Sequence, residues 1–190
     1  MVSIQMRQHT DESIESQALE LLRSAGALSL PVDIEHVART LDVKVNYQKL
    51  EDDVSGVLIV SGNQRHVLIN DTHHPNRRRF TLSHELGHLM LHDGGGDQFF
   101  VDRHLRVYQR VGEPGAPAYQ LPDSMTNADM ERGANRFAAA LLMPGPLVKR
   151  VALEHDLWDE NDIARLAKSF GVSEQAMSIR LQQLKVVALN

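Results

Sequence analysis

The sequence turns on Phe80-Thr81-Leu82-Ser83-His84-Glu85-Leu86-Gly87-His88-Leu89-Met90-Leu91-His92. On a helix, His84 and His88 lie one turn apart and project from one face, so two imidazole nitrogens can converge on a single metal ion. Glu85, beside the first histidine, can address a water at that ion without binding the ion itself. Leu82, Leu86 and Met90 supply an apolar stripe to seat the helix on a core. Two neutral imidazoles, a third protein ligand, an open position and a carboxylate base are the parts a zinc hydrolase needs. The competing reading is an amphipathic helix at the edge of the core with incidental histidines; the spacing favours the metal.

His92 does not extend the set. Eight residues of helix span about 12 Å, too far for His84, His88 and His92 to share one ion. A helix-capping or supporting role is expected for it, with Gly94-Gly95-Gly96 ending the helix.

Composition sets the limits. With 190 residues and 42% hydrophobic content the chain can bury a real core. It has no cysteine, which removes disulfides and thiolate ligands, so a zinc ion must be held by histidine and carboxylate. The first ten residues hold no apolar core of signal-peptide length and no run is long enough to span a bilayer, so a cytoplasmic protein without membrane contact is expected. A net charge of −5 argues against a broad phosphate-binding surface.

Asp11 to Ser24 and Val32 to Leu41 carry apolar residues at helical spacing and read as scaffold helices. Val43–Tyr47, Val54–Val60 and His66–Ile69 read as strands, the last two joined as a hairpin by Ser61-Gly62-Asn63. A three-stranded sheet then leads through Pro75 into the histidine helix. Arg77, Arg78 and Arg79 in its first turns oppose the helix dipole, and a solvated basic face is expected. From Asp93 to Thr126 the chain is rich in Gly, Pro and polar residues. That stretch either borders the cleft as a lid or is a disordered insertion.

Asn127 to Met143 is a helix rich in small and apolar residues, with Ala134, Phe137, Ala138 and Leu141 on its core face. Glu131 and Asn135 lie one turn apart beside that face. A carboxylate aimed at a core needs a partner. An arginine such as Arg77 or Arg79 is one candidate, but the unfilled third ligand position favours zinc. Asn135 can then hold an imidazole ligand by its other nitrogen.

His84-Glu85-Leu86-Gly87-His88 followed by Glu131-x-x-Ala134-Asn135-x-Phe137-Ala138-x-x-Leu141-Leu142-Met143-Pro144 resembles the ImmA/IrrE family of bacterial and phage zinc metallopeptidases. The resemblance extends over most of the chain. It implies a minimal zincin-like α+β domain with a small three-stranded sheet, Zn2+ on His84, His88 and Glu131, and Glu85 as general base. It also implies a protein substrate, a helix-turn-helix (Xre-like) repressor, whose cleavage releases stress-response or mobile-element genes. Gly133, inside a helix it would weaken, is expected to allow close packing on the histidine helix.

The domain reading is a peptidase domain over residues 1–146 and a helical segment over 147–190 packed on it. Asn161–Phe170, Gly171-Val172-Ser173 and Glu174–Leu184 read as helix, turn, helix. A DNA-reading second helix would present Glu174, Gln175, Ser178, Arg180, Gln182 and Gln183. With so few cations, packing or protein docking is favoured over direct nucleic acid binding. Oxyanion donors are left open among Tyr108, Tyr119, His104 and His66, and an edge strand is expected to hold substrate by strand addition. The rival class is a DNA- or protein-binding regulator, or a toxin–antitoxin component, with a non-catalytic metal site.

Overall fold

Thr10 accepts a hydrogen bond from the Ser13 amide and so starts helix α1 (Asp11–Ser24), where Asp11 and Glu12 complement the positive end of the dipole. Ile14, Ala18, Leu21 and Leu22 form its buried stripe. Asp33 caps α2 (Ile34–Thr40) in the same way, accepting from His36. These elements belong to a computed structural model that describes residues 10–92, 98–103 and 127–186.

β1 (Val43–Gln48), β2 (Val54–Ser61) and β3 (Gln64–Asn70) follow. β2 and β3 form the antiparallel hairpin, and β1 pairs parallel with β3. The sheet has four strands rather than the three expected, in the order β1-β3-β2-β4. β4 (Gln98–Arg103) adds antiparallel to the other edge of β2. Its Phe99-Phe100-Val101 run has strand composition, but its partner lies far upstream, and a ladder closed across such a distance leaves no local pattern. Side chains alternate across a strand, so Gly56 and Leu58 of β2, Val67 and Ile69 of β3, and Phe100 and Asp102 of β4 share one face. That face carries α3 (Pro75–Leu91).

α3 lies between the sheet and α4 (Asn127–Leu142), which is why it is buried almost all round from Thr81 to Leu89. Its buried Ser83 hydroxyl donates back to the Arg79 carbonyl at 2.9 Å and so needs no outside partner. The close approach of α3 and α4 depends on Gly87. A Cβ there would stand 2.9 Å from the Ala134 carbonyl oxygen and 3.0 Å from the Ala134 Cα. Gly133 does not serve this purpose, contrary to expectation. A Cβ on it would meet Leu91 at 3.5 Å and His92 at 3.8 Å, which is ordinary contact.

α5 (Gly145–Ala152), α6 (Glu160–Phe170) and α7 (Glu174–Gln183) complete seven helices among the described residues. Gly171 closes α6 in the left-handed region at φ 64°, and Ser173 caps α7 by accepting from Ala176 N. Leu166, Phe170, Met177 and Leu181 enter the same hydrophobic cluster as Ile14, Leu86 and Leu141. Arg180, which a DNA-reading second helix would present, is buried. It donates to the Met143 carbonyl at 2.9 Å and to both oxygens of Glu15 at 2.5 and 2.7 Å. The carbonyl at the end of α4 and a carboxylate on α1 draw it inward, because a guanidinium can be buried only when so paired. Among the described residues no helix is long and apolar enough to cross a membrane.

Candidate metal centre

The crossing of α3 and α4 sets Glu131 against the paired histidines. His84 Nε2 and His88 Nε2 are 2.9 Å apart; Glu131 Oε2 is 3.2 Å from the first and Oε1 is 3.4 Å from the second. One ligand atom from each of the three residues falls within 4.8 Å of the others. As metal ligands the two imidazoles present bare Nε2 lone pairs, and these repel each other and the carboxylate unless a cation lies among them. For metal–ligand bonds of about 2.0–2.2 Å in a tetrahedron the ligand–ligand edges are about 3.3–3.6 Å. The two His–Glu separations, each to a different carboxylate oxygen, are close to that range, the two imidazole nitrogens stand closer than it, and the donor set of two nitrogens and a carboxylate suits zinc. The residues present fit the ion.

Both imidazoles are held from behind, by different means. Asn135, one turn along α4 from Glu131, has its Oδ1 3.1 Å from His84 Nδ1. A proton on Nδ1 donated there leaves the Nε2 lone pair facing inward. The His88 ring stacks on Phe100 of β4, centroids 4.8 Å apart and planes 16° from parallel. His92, at the C-cap of α3, places its Nε2 3.2 Å from the Met130 carbonyl and so ties the end of α3 to α4. The segment Gly94–Gly96, expected to end the helix, lies outside the described residues.

Glu85 is the unusual group. It is fully buried, and neither carboxylate oxygen has a hydrogen-bond partner. Gly56 makes room for it: a Cβ on that residue would stand 3.0 Å from Glu85 Oε1 and 2.5 Å from Thr81 Cγ2. Burial first, then the charges of Asp102 and Glu131, push the Glu85 carboxyl well above the ordinary carboxylate range. Glu131 goes the other way. Burial would raise it, but hydrogen bonds and charge from His84 and His88 outweigh that and bring it down to about 2. A cavity of about 210 Å³ opens beside them, lined by Ser55, Arg77, Phe80, Thr81, His84, Asp102 and Asn135.

The arginines at the start of α3 do not form the solvated basic face expected. Arg79 donates to the carbonyls of Val32 and Gly171 at 2.9 and 3.3 Å, joining the N-terminal segment to the α6–α7 turn. Arg78 lies over the Tyr47 ring at 5.7 Å. Arg77 stays at the surface but donates to Ser55 Oγ at 3.2 Å, with Asp102 nearby. Each has a polar or aromatic target supplied from outside α3, which local sequence does not reveal. None is placed on Glu131.

Of the oxyanion candidates, His66 pairs with Ile59 and Lys44 and so lies on the sheet face turned away from α3. Tyr108, Tyr119 and His104 lie outside the described residues, as does most of the stretch expected to form a lid. The sequence reading missed Phe100, Asp102 and Gly56. The aromatic run at 99–101 was a usable signal for the first; the other two show only once β2 and β4 are paired.

Residues 38–182 match the family described as the IrrE N-terminal-like domain. The chain is also similar to the radiation response metalloprotease IrrE of Deinococcus radiodurans, at 35% identity over 107 residues. That match covers 56% of this chain and 27% of the relative, so the chain spans only about a quarter of the relative's length.

Proposed function

We propose, because this chain belongs to the IrrE N-terminal-like domain family of metallopeptidases, that it is a zinc-dependent endopeptidase acting on a protein substrate. The observation that carries the reading is Glu85, a fully buried carboxylate with no hydrogen bond beside a group able to hold a cation. A purely structural metal site has no use for such a group, and leaving it unpaired costs stability.

His84 and His88 through Nε2, and Glu131 through a carboxylate oxygen, are the proposed ligands. A zinc ion held there supplies a Lewis acid and brings the pKa of coordinated water to about 7. Glu85 takes a proton from the attacking water on a carboxylate oxygen and gives it to the leaving amine. Asn135 holds the His84 ring in register, and Gly56 of β2 leaves the space on the sheet side that the Glu85 carboxylate occupies. β4, at the edge of the described sheet, offers its backbone for pairing with an extended substrate.

The proposed substrate is a helix-turn-helix repressor or antitoxin whose cleavage derepresses stress or mobile-element genes. Support comes from the family resemblance and from the relative's designation as a radiation response metalloprotease. The rival reading, a DNA-binding regulator, has less support. With Arg180 buried, the exposed positions of α7 are Glu174, Gln175, Ile179, Gln182 and Gln183, none of them cationic.

The test is metal content by elemental analysis together with cleavage of a co-expressed repressor. Wild type should carry about one zinc per chain, and Glu131→Ala markedly less. Glu85→Gln should keep its zinc and lose cleavage. Cleavage retained by Glu85→Gln, or full zinc in Glu131→Ala, overturns the assignment.

A further inference from the structure

The metal cleft does not end at the histidines. Arg77 and Phe80, which line the cavity beside His84, also line a second cavity of about 350 Å³. Its depth is apolar: Leu142 and Met143 from the end of α4 are almost fully buried, and Phe80, Val172 and Ala176 stand at its sides. Two of those, Val172 and Ala176, come from the α6–α7 turn and the first turn of α7. The helix pair that resembles a DNA-reading module therefore forms one wall of a groove that begins at the metal site.

We propose that this second cavity is a substrate subsite, and that it takes a bulky apolar side chain of an extended peptide held across the metal centre. The inference rests on the peptidase reading and adds to it a substrate class and a role for the C-terminal helices. Continuity decides the occupant, since Phe80 and Arg77 line both cavities and a chain that leaves the one at His84 along them enters the other. Phe80, which lines the cavity, has its ring 6.4 Å from the His84 ring, and an extended peptide advances about 3.3 Å per residue. The side chain that fills the cavity is therefore at least about two residues from the cleaved bond. The volume is within the range of small-molecule sites and exceeds what one aliphatic side chain needs, so aromatic residues fit as well. His74, Asn76, Arg77 and Ser173 supply the polar part of its lining.

The experiment uses a library of internally quenched peptides varied one position at a time, with zinc-loaded wild type and Ala176→Trp. Ala176 is only partly buried and faces open groove, so the indole can grow into the cavity; Ala176→Leu is the second variant, and thermal melts confirm that both fold. Wild type should prefer Leu, Met or Phe at one fixed position two or more residues from the cut. Ala176→Trp should lower kcat/KM for those peptides at least tenfold and change it less than threefold for peptides with Gly or Ala there. Ala176→Leu should do the same to a smaller degree. A wild type that cleaves with a profile neither variant alters overturns the subsite and leaves the peptidase reading standing.

A methyl NMR titration separates the two failures. A hexapeptide with a central Phe, added to Glu85→Gln protein, should shift the Met143, Val172 and Ala176 methyls, and the same peptide with Gly should not. If wild type cleaves neither any peptide nor the co-expressed repressor yet these shifts appear, the groove stands and the peptidase reading falls. Without the shifts the subsite is refuted.

Discussion

A histidine that binds metal through Nε2 must have its Nδ1 proton placed, and Asn135 does this for His84 at 3.1 Å. Asn135 touches neither the ion nor the reacting bond, so it is a positioning residue. Asn135→Ala should weaken zinc binding about 10- to 100-fold, the usual loss when a partner behind a ligand is removed. Asn135→Asp, which keeps the acceptor, should stay near wild type. Competition with a chromophoric chelator measures both; equal affinities in all three proteins would show that the contact is incidental. Asn135 could be nominated from the sequence because it stands one helical turn after a carboxylate that itself sought a partner. His88 shows the opposite case. Phe100 supports its ring, and nothing in the local sequence around either residue links them. The exposure of Glu85 to no partner at all was equally hidden, because it depends on a glycine in β2 that reaches α3 only after the chain folds.

At the scale of elements, the α3–α4 crossing sets the metal geometry, and the two glycines near it have opposite roles. Gly87→Ala puts a methyl into the Ala134 backbone at 2.9–3.0 Å, so the helices must part. The expected cost is about 1–3 kcal/mol of stability, as for other overpacked contacts, and zinc affinity should fall with it as Glu131 moves from the histidines. Gly133→Ala meets only ordinary contacts, and relief of the glycine penalty should stabilise α4 by about 0.5–1 kcal/mol. Urea denaturation of both variants with metal stripped reads the stability, and chelator competition reads the affinity. Two variants of equal stability would mean that the crossing distance does not depend on Gly87. The helices themselves were legible in the sequence, since Ile14, Ala18 and Leu21 or Phe137 and Leu141 announce a period that the structure repeats in its buried faces. Which glycine permitted the contact was not legible: both sit on helices that face each other, and only the backbone distance tells them apart. The fourth strand was missed for a similar reason, because pairing of β4 with β2 is a long-range fact.

Over the whole molecule, the C-terminal helices are tied to the first helix by charge as well as by the shared core. Glu15 on α1 accepts two bonds from Arg180 on α7 and lies 3.6 Å from Arg136 on α4. Arg136 also reaches Asp11 at 3.2 Å. Arg180 is the member with no access to water, and its third bond goes to Met143 at the exit of α4. The segment after residue 146 therefore completes the environment of α1 and α4, and the proposed substrate groove inherits its wall from that arrangement. Removing one partner strands the other. Arg180→Ala should cost about 2–4 kcal/mol, somewhat below the figure for a fully buried pair because Glu15 is a quarter exposed. Arg180→Met with Glu15→Gln removes both charges and keeps much of the volume, so the double variant should recover part of the loss. A double-mutant cycle in urea should give a coupling of at least about 1 kcal/mol. A cycle that closes to zero would mean that Glu15 and Arg180 stabilise the fold independently, and that the C-terminal helices are held by apolar packing and the bonds to the Met143 and Gly171 carbonyls, without help from the ion pair.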